Sequence, residues 1–297
     1  MKIKMIGLGK MGYNLALNMK NHGFDVWGYD VNENARNQAE KTGIHTCSNL
    51  NQMIDNDEQN IIWVMLPAGE ITNCILLELC TMCKKGDIII DGGNSDYRDS
   101  LKTEKVMTEK GIYFFDIGTS GGVYGALHGA SFMCGGDKEK FEVLRPLLES
   151  IATTNGCLYT GKTGSGHYLK MIHNAMLYGM MQTLGEGFEL LEASAFDYDL
   201  AEVADSLSKS SVIRGWLVEL CADSFRKNPN LTGIKGVIGA SKTTNWTLES
   251  ACELGIPVPV ISLSLMMRLR SKQEDSFSAK LIASLRDEVG GHKAPTK

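Results

Sequence analysis

The chain has 297 residues, 43% of them hydrophobic and only six of them proline, a composition of globular proteins with length enough for two domains. Thirty lysines and arginines against 35 acidic residues leave a net charge of −5, which argues against nucleic acid as a partner. Any anionic ligand must then be met by a local cationic cluster. No apolar run reaches membrane-spanning length, and with Met1 leading straight into a strand no signal peptide is expected. Eight scattered cysteines suit a reducing compartment, so a cytoplasmic protein without membrane association is expected. Cys80-Thr-Met-Cys83 has redox or zinc spacing but lacks a second pair, and no metal site is expected.

Residues 2–6 alternate into a short strand, and Gly7-Leu8-Gly9-Lys10-Met11-Gly12 follows before a helical stretch to Asn21. Position explains each glycine of this G-x-G-x-x-G run. Gly7 allows the tight turn, Gly9 lets backbone approach a pyrophosphate, and Gly12 lets helix pack on strand. The pyrophosphate would sit on the free N–H groups of the helix N-terminus. A second strand, residues 24–30, ends in Asp30 at the expected distance. Asp30 can accept from both ribose hydroxyls of NAD and would repel the 2′-phosphate of NADP. Val31 stands where an NADP enzyme would often place a base, so NAD is expected in preference to NADP. As an alternative, Asp30 would cap a helix beginning near Asn32-Glu33.

The rhythm continues. Ile61–Leu66 is a buried strand ending in Leu66-Pro67-Ala68, Asp87–Asp91 is another ending in Gly92-Gly-Asn94-Ser, and Ile112–Asp116 leads to Gly118-Thr-Ser120-Gly121-Gly122. Ala130–Gly136 and Cys157–Thr160 add further strands. Strands alternating with helices predict an α/β fold, a doubly wound parallel sheet whose ligands bind at the carboxyl ends of the strands. Leu66, Pro67, Ala68, Asn94 and Ser120 would share that rim.

From Gly164 the pattern turns helical to the end. A dinucleotide-binding domain over 1–163 and an all-α substrate and oligomerisation domain over 164–297 are expected. The first helix should run from Ser165 to about Ala195. Further helices read as Leu200–Lys209, Arg214–Arg226, Trp246–Leu254, Val258–Lys272 and Ser276–Val289. On the first, Lys170, His173, Asn174 and Tyr178 share one broad face with Leu177 and Met181 between them. A lysine in that company is either desolvated toward the pKa of a base or snorkels its stem to water.

By these motifs the chain resembles the β-hydroxyacid dehydrogenase superfamily, and within it the short-form 6-phosphogluconate dehydrogenases. The likeness spans essentially the whole chain. Gly7–Gly12 resembles the family's nucleotide loop, Asp91-Gly-Gly-Asn-Ser-Asp-Tyr-Arg98 its Asn-bearing loop, Thr119-Ser-Gly-Gly122 its substrate-clasping loop, and Gly166-His-Tyr-Leu-Lys-Met-Ile-His-Asn174 its catalytic helix. The resemblance implies a phosphorylated sugar acid as substrate. Lys170 would take the C3 hydroxyl proton as hydride passes to the nicotinamide, then polarise the 3-keto group as CO2 leaves. Asn94, Ser120 and Asn174 would hold hydroxyls and carboxylate, with Gly121, Gly122 and His173 beside them. Tyr178, Arg268, Arg286 and His292 would hold the phosphate end. Arg286-Asp-Glu-Val-Gly-Gly-His292 resembles a C-terminal family motif that reaches into a neighbouring subunit, which implies a homodimer or homotetramer; otherwise it is a frayed terminus.

Two positions depart from the family's pattern. Seven residues after its lysine the family has a glutamate that protonates C1 after decarboxylation; here that residue is Leu177. Around Gly239-Ala-Ser-Lys242-Thr-Thr-Asn-Trp246 the register of phosphate contacts is open. Lys242 with Thr243 or Thr244 would bind phosphate, or Thr244 or Asn245 would cap a helix. A non-decarboxylating β-hydroxyacid dehydrogenase, favoured by Leu177, is the alternative enzyme. An NAD(H) sensor without turnover would need neither Lys170 nor Ser120.

Overall fold

The computed structural model describes residues 1–293. In the first of its two units, Met1–His173, strands and helices alternate. They are β1 (Lys2–Ile6), α1 (Lys10–Asn21), β2 (Asp25–Tyr29), α2 (Glu33–Lys41), β3 (His45–Thr46), β4 (Ile61–Val64), α3 (Glu70–Met82), β5 (Ile88–Asp91), α4 (Tyr97–Glu109), β6 (Tyr113–Ser120), α5 (Gly122–His128), β7 (Ala130–Gly135), α6 (Lys138–Ile151) and β8 (Ala152–Gly161). The strands form one sheet in the order β3-β2-β1-β4-β5-β6-β7-β8. Every residue of β4 and β5 is buried, as strands covered on both faces must be. One face carries Ile3, Met5, Trp63, Ile90, Phe115 and Phe132; the other carries Ile6, Val64, Ile89 and Phe114.

The sheet is mainly parallel, not wholly so. β7 runs antiparallel to β6, with Ser120 opposite Ser131, while β8 follows β7 in parallel. That pairing extends β6 to Ser120, four residues beyond the expected end at Asp116. β8 likewise starts at Ala152, ahead of Cys157.

The division between the units falls inside the long helix α7 (Ser165–Glu192), after His173. The second unit continues with α8 (Leu200–Ser210), α9 (Trp216–Lys227), α10 (Lys242–Leu254), α11 (Pro259–Arg270) and α12 (Phe277–Gly290). Its core gathers Phe188, Ala204, Ala222 and Phe225. Helix α10 begins four residues earlier than Trp246, with Ser241 at its N-cap in place of Thr244 or Asn245. Among the described residues no helix is long and apolar enough to cross a membrane.

The N-terminus of α7 rests directly on the backbone of the sheet. A methyl group at Gly166 would lie 2.1 Å from the Asp116 carbonyl oxygen and 2.5 Å from that of Met133. Gly166→Ala should therefore destabilise the protein by at least about 2 kcal/mol, because rigid backbone must give way. Gly185→Ala on the same helix meets open space and should be neutral or stabilising by up to about 1 kcal/mol. Chemical denaturation of the two variants checks the contrast.

Candidate active site

The glycine loop lies at the switch point of the sheet, where β1 has β2 on one side and β4 on the other. Gly7 has φ +93°, and a side chain there would strike the Met65 carbonyl oxygen at 2.4 Å. A methyl on Gly12 would lie 2.0 Å from the Gly7 carbonyl oxygen. Gly9 differs: nothing lies within 4 Å of its would-be side chain, and as N-cap of α1 it offers no side-chain cap to the first turn. An open cradle with uncapped N–H groups above it is what a pyrophosphate requires, so the loop fits a dinucleotide. Leu8 is buried, while Lys10 and the Pro67-Ala68 pair are exposed and Met11 and Leu66 are half-buried around the loop.

Asp30 ties this loop to the end of β2. Its Oδ2 accepts from Leu8 N at 2.7 Å and its Oδ1 from Asn32 N at 2.8 Å. The cap of α2 is Asn32, which accepts from Asn34 N at 2.9 Å, so Asp30 is not that helix's N-cap. Val31 is 85% exposed beside it. Arg36, which no sequence motif signals, donates to the Asp30 and Val31 carbonyl oxygens at 2.6 and 3.3 Å.

Asn94 is exposed in the loop after β5 and Ser120 half-buried at the end of β6; Gly121, with φ +119°, and Gly122 then start α5. These loops follow neighbouring strands and share the rim that holds the glycine loop.

Three alternate residues of β6 meet three positions spaced one turn apart on α7. The buried Asp116 carboxylate accepts from Gly164 N and His167 N, both at 2.7 Å, and so caps the helix. Burial raises the Asp116 pKa, against the pull of His167 and of these donors. Gly118 comes next: a methyl there would lie 2.4 Å from Lys170 Cβ. Ser120 Oγ is 3.2 Å from His173 Nε2. A further tie, Ser100 Oγ to His167 Nδ1 at 2.9 Å, joins α4 to α7. The packing roles of Asp116, Gly118 and Gly166 leave no signal in the sequence, because they exist only once strand and helix touch.

Lys170 is 6% exposed. Burial alone lowers its pKa from the ordinary 10.5 to about 8. This lysine does not snorkel.

In the second unit Tyr178 and Arg268 come together, the guanidinium carbon 3.5 Å from the ring centroid. Arg268 is buried and donates to the Gly239 carbonyl oxygen at 2.7 Å, whereas Arg270 is exposed and donates to the Gln273 carbonyl oxygen at 2.8 Å. The Tyr178 hydroxyl accepts from Ser241 N at 2.8 Å. Burial pushes the phenol's pKa up, but Ser241 and Arg268 outweigh it and the net direction is down. Exposed Lys242 opens α10, and the uncapped N-terminus there adds donors beside a cation. Half-buried Asn174 and Leu177 lie one turn apart on α7. Arg286 is exposed on α12 and His292 exposed just beyond it.

Among the described residues no group of histidine, cysteine and carboxylate side chains could hold a metal ion. Desolvation, with Asp87 beside it, pushes the half-buried Cys83 thiol up to about 12.

Comparison with known proteins places the chain in one family. The model for the NAD binding domain of 6-phosphogluconate dehydrogenase matches residues 2–161, and that for the 6-phosphogluconate dehydrogenase C-terminal domain matches 166–293. YqeC of Bacillus subtilis, provisionally named a 6-phosphogluconate dehydrogenase, is 46% identical over 298 residues and 100% of both chains. A Haloferax volcanii protein named as the NAD(+)-dependent, decarboxylating enzyme is 35% identical, over 100% of this chain and 99% of its own. Plasmodium falciparum 6-phosphogluconate dehydrogenase, solved with NADP+ and with 6-phosphogluconate, superposes with a TM-score of 0.83 at 28% identity, over 100% of this chain and 66% of its own.

The buried lysine has a measurable cost independent of any activity. Between pH 8 and 10.5 the unfolded chain holds a proton on Lys170 that the folded chain has released, so this group's contribution to stability rises with pH across that window. Lys170→Met should stabilise the protein at pH 7 by roughly 3 kcal/mol, and its advantage should shrink toward pH 10.5. Paired denaturation curves at several pH values check the sign.

Proposed function

This chain belongs to the 6-phosphogluconate dehydrogenase family of oxidoreductases and carries that family's NAD-binding domain, and from that premise we propose that it converts 6-phospho-D-gluconate and NAD to ribulose 5-phosphate, CO2 and NADH. The observation that carries the reading is the Lys170 amine, buried with a pKa of about 8. At neutral pH it can exist briefly as the free base that a secondary alcohol requires. NAD supplies the hydride acceptor. Lys170 takes the C3 hydroxyl proton as the C3 hydride leaves, giving the 3-keto acid. The resulting ammonium returns that proton to the C3 oxygen as the bond to the carboxylate breaks, CO2 departs and an enediol is left. A preorganised cation beside a forming enolate is the kind of stabilisation on which decarboxylation depends.

Asn94, Ser120, His173 and Asn174 are assigned to the sugar hydroxyls and carboxylate, and Tyr178, Lys242 and Arg268 to the phosphate. The buried guanidinium on the Tyr178 ring supports the second assignment. Arg286 and His292 are assigned to the phosphate of a second copy's substrate. Helix α12 has no buried residue, and Phe277 and Val289 on it are 81% and 88% exposed. A helix that leaves Phe277, Leu281, Ile282, Leu285 and Val289 bare in one chain favours a homodimer or homotetramer, with the C-terminal unit as the assembly domain.

NAD is favoured over NADP by the Asp30 carboxylate and by Val31. Asp30→Asn with Val31→Arg should move the ratio of kcat/KM for NADP over NAD upward by at least about tenfold, through lost repulsion and a gained cation.

Leu177 favours a second reading, oxidation of a related sugar acid without loss of CO2. Turnover with 6-phosphogluconate and NAD, following NADH and CO2 together, separates the two. Equal amounts support decarboxylation, NADH alone supports the second reading, and neither product refutes the substrate. Lys170→Ala should lower kcat by about a hundred- to ten-thousand-fold with NAD binding intact; an unchanged kcat would refute the role of the lysine.

A further inference from the structure

Leucine at 177 leaves one step of the proposed reaction without a donor. Loss of CO2 makes substrate C2 and C3 the C1 and C2 of the product, and the enediol becomes a ketose only when a proton reaches product C1 while the hydroxyl proton at product C2 is withdrawn. Lys170 is the base already used at that oxygen, and one amine cannot accept at oxygen and donate at carbon in the same event. A second acid is required.

The first unit offers few candidates. Asp116 is buried beneath the helix and committed to Gly164 N and His167 N. His167 is 1% exposed and its Nδ1 is engaged with Ser100. His173 is different. It lies three residues after Lys170 on α7, hence on the same side of the helix. It is half-buried, and its Nε2 is 3.2 Å from the hydroxyl of Ser120 on the sheet rim. Its imidazole is the side chain best suited to donate near neutral pH.

Resting on the function proposed above, we infer that the Ser120–His173 pair is the acid that replaces the missing carboxylate. The enediol's double-bond electrons form the new C1–H bond with the Ser120 hydroxyl proton. His173, entering the step as the imidazolium, restores that hydroxyl from Nε2–H and is left as the neutral imidazole, and Lys170 takes the C2 hydroxyl proton as the carbonyl forms. Solvent then returns a proton to His173 and removes one from Lys170, so charge and atoms balance over the cycle. The donor sits on one face of the enediol, so the new hydrogen enters C1 from one side only.

The test is turnover of 6-phosphogluconate and NAD in D2O, with the configuration at C1 of the ribulose 5-phosphate read by NMR. The wild-type protein should place deuterium in a single prochiral position. His173→Gln keeps an amide donor toward Ser120 but has no titratable proton, and Ser120→Ala removes the hydroxyl. Both should still form NADH, more slowly, and both should spread deuterium over the two positions about equally as solvent protonates the enediol. One-sided labelling retained in either variant would overturn the inference, as would scrambled labelling by the wild-type protein. Should His173→Gln not fold, Ser120→Ala alone decides. Absence of NADH with the wild-type protein is a separate result that sinks the function itself.

Discussion

The docking of α7 onto β6 governs the rest of the site. Asp116, Gly118 and Ser120 occupy alternate positions of the strand and so point to one face of the sheet. On the helix they meet Gly164 and His167, Lys170, and His173 in turn. The first contact caps the helix with a carboxylate, the second lets backbone touch the lysine stem, and the third engages the imidazole. A side chain at Gly118 or Gly166 would lift the helix away, and the lysine would then regain water. A buried ammonium that gains nothing from a carboxylate among the described residues is a destabilising feature of the fold, and the close packing around it holds it in place.

The same sheet places the dinucleotide loop at its switch point. The tie from Asp30 to Leu8 joins the second strand's end to the loop's backbone, so the residue proposed for the ribose also shapes the glycine loop. The two demands suit one carboxylate, which has lone pairs for both. The rim is therefore a continuous structure running from the glycine loop, past the ends of β4 and β5, to Ser120.

Much of this was legible in the sequence. G-x-G-x-x-G between a strand and a helix, an acid at the end of the next strand, and the switch from period-two to helical patterning at Gly164 gave the architecture. What escaped were features set by pairing between distant segments. The reversal of β7 follows from its register with β6 and leaves no mark on its own composition. The early start of α10 reflects backbone geometry at Ser241, where no side-chain cap signals a beginning. At the site, Lys170 was visible as a lysine among apolar neighbours, but two environments were compatible with that pattern. Only the packing of α7 on glycine backbone decides between them. Burial on the Tyr178 ring sets Arg268 apart from the exposed Arg270 two residues on, which spacing along the helix does not do.

The claim at the centre of this account is that packing alone makes Lys170 a base. The most direct measurement is an NMR titration of the Lys170 side-chain amine in the free protein, assigned by comparison with Lys170→Arg. The account predicts a midpoint of about 8. A midpoint at the ordinary 10.5 of a lysine in water would show that the amine is solvated and would contradict it.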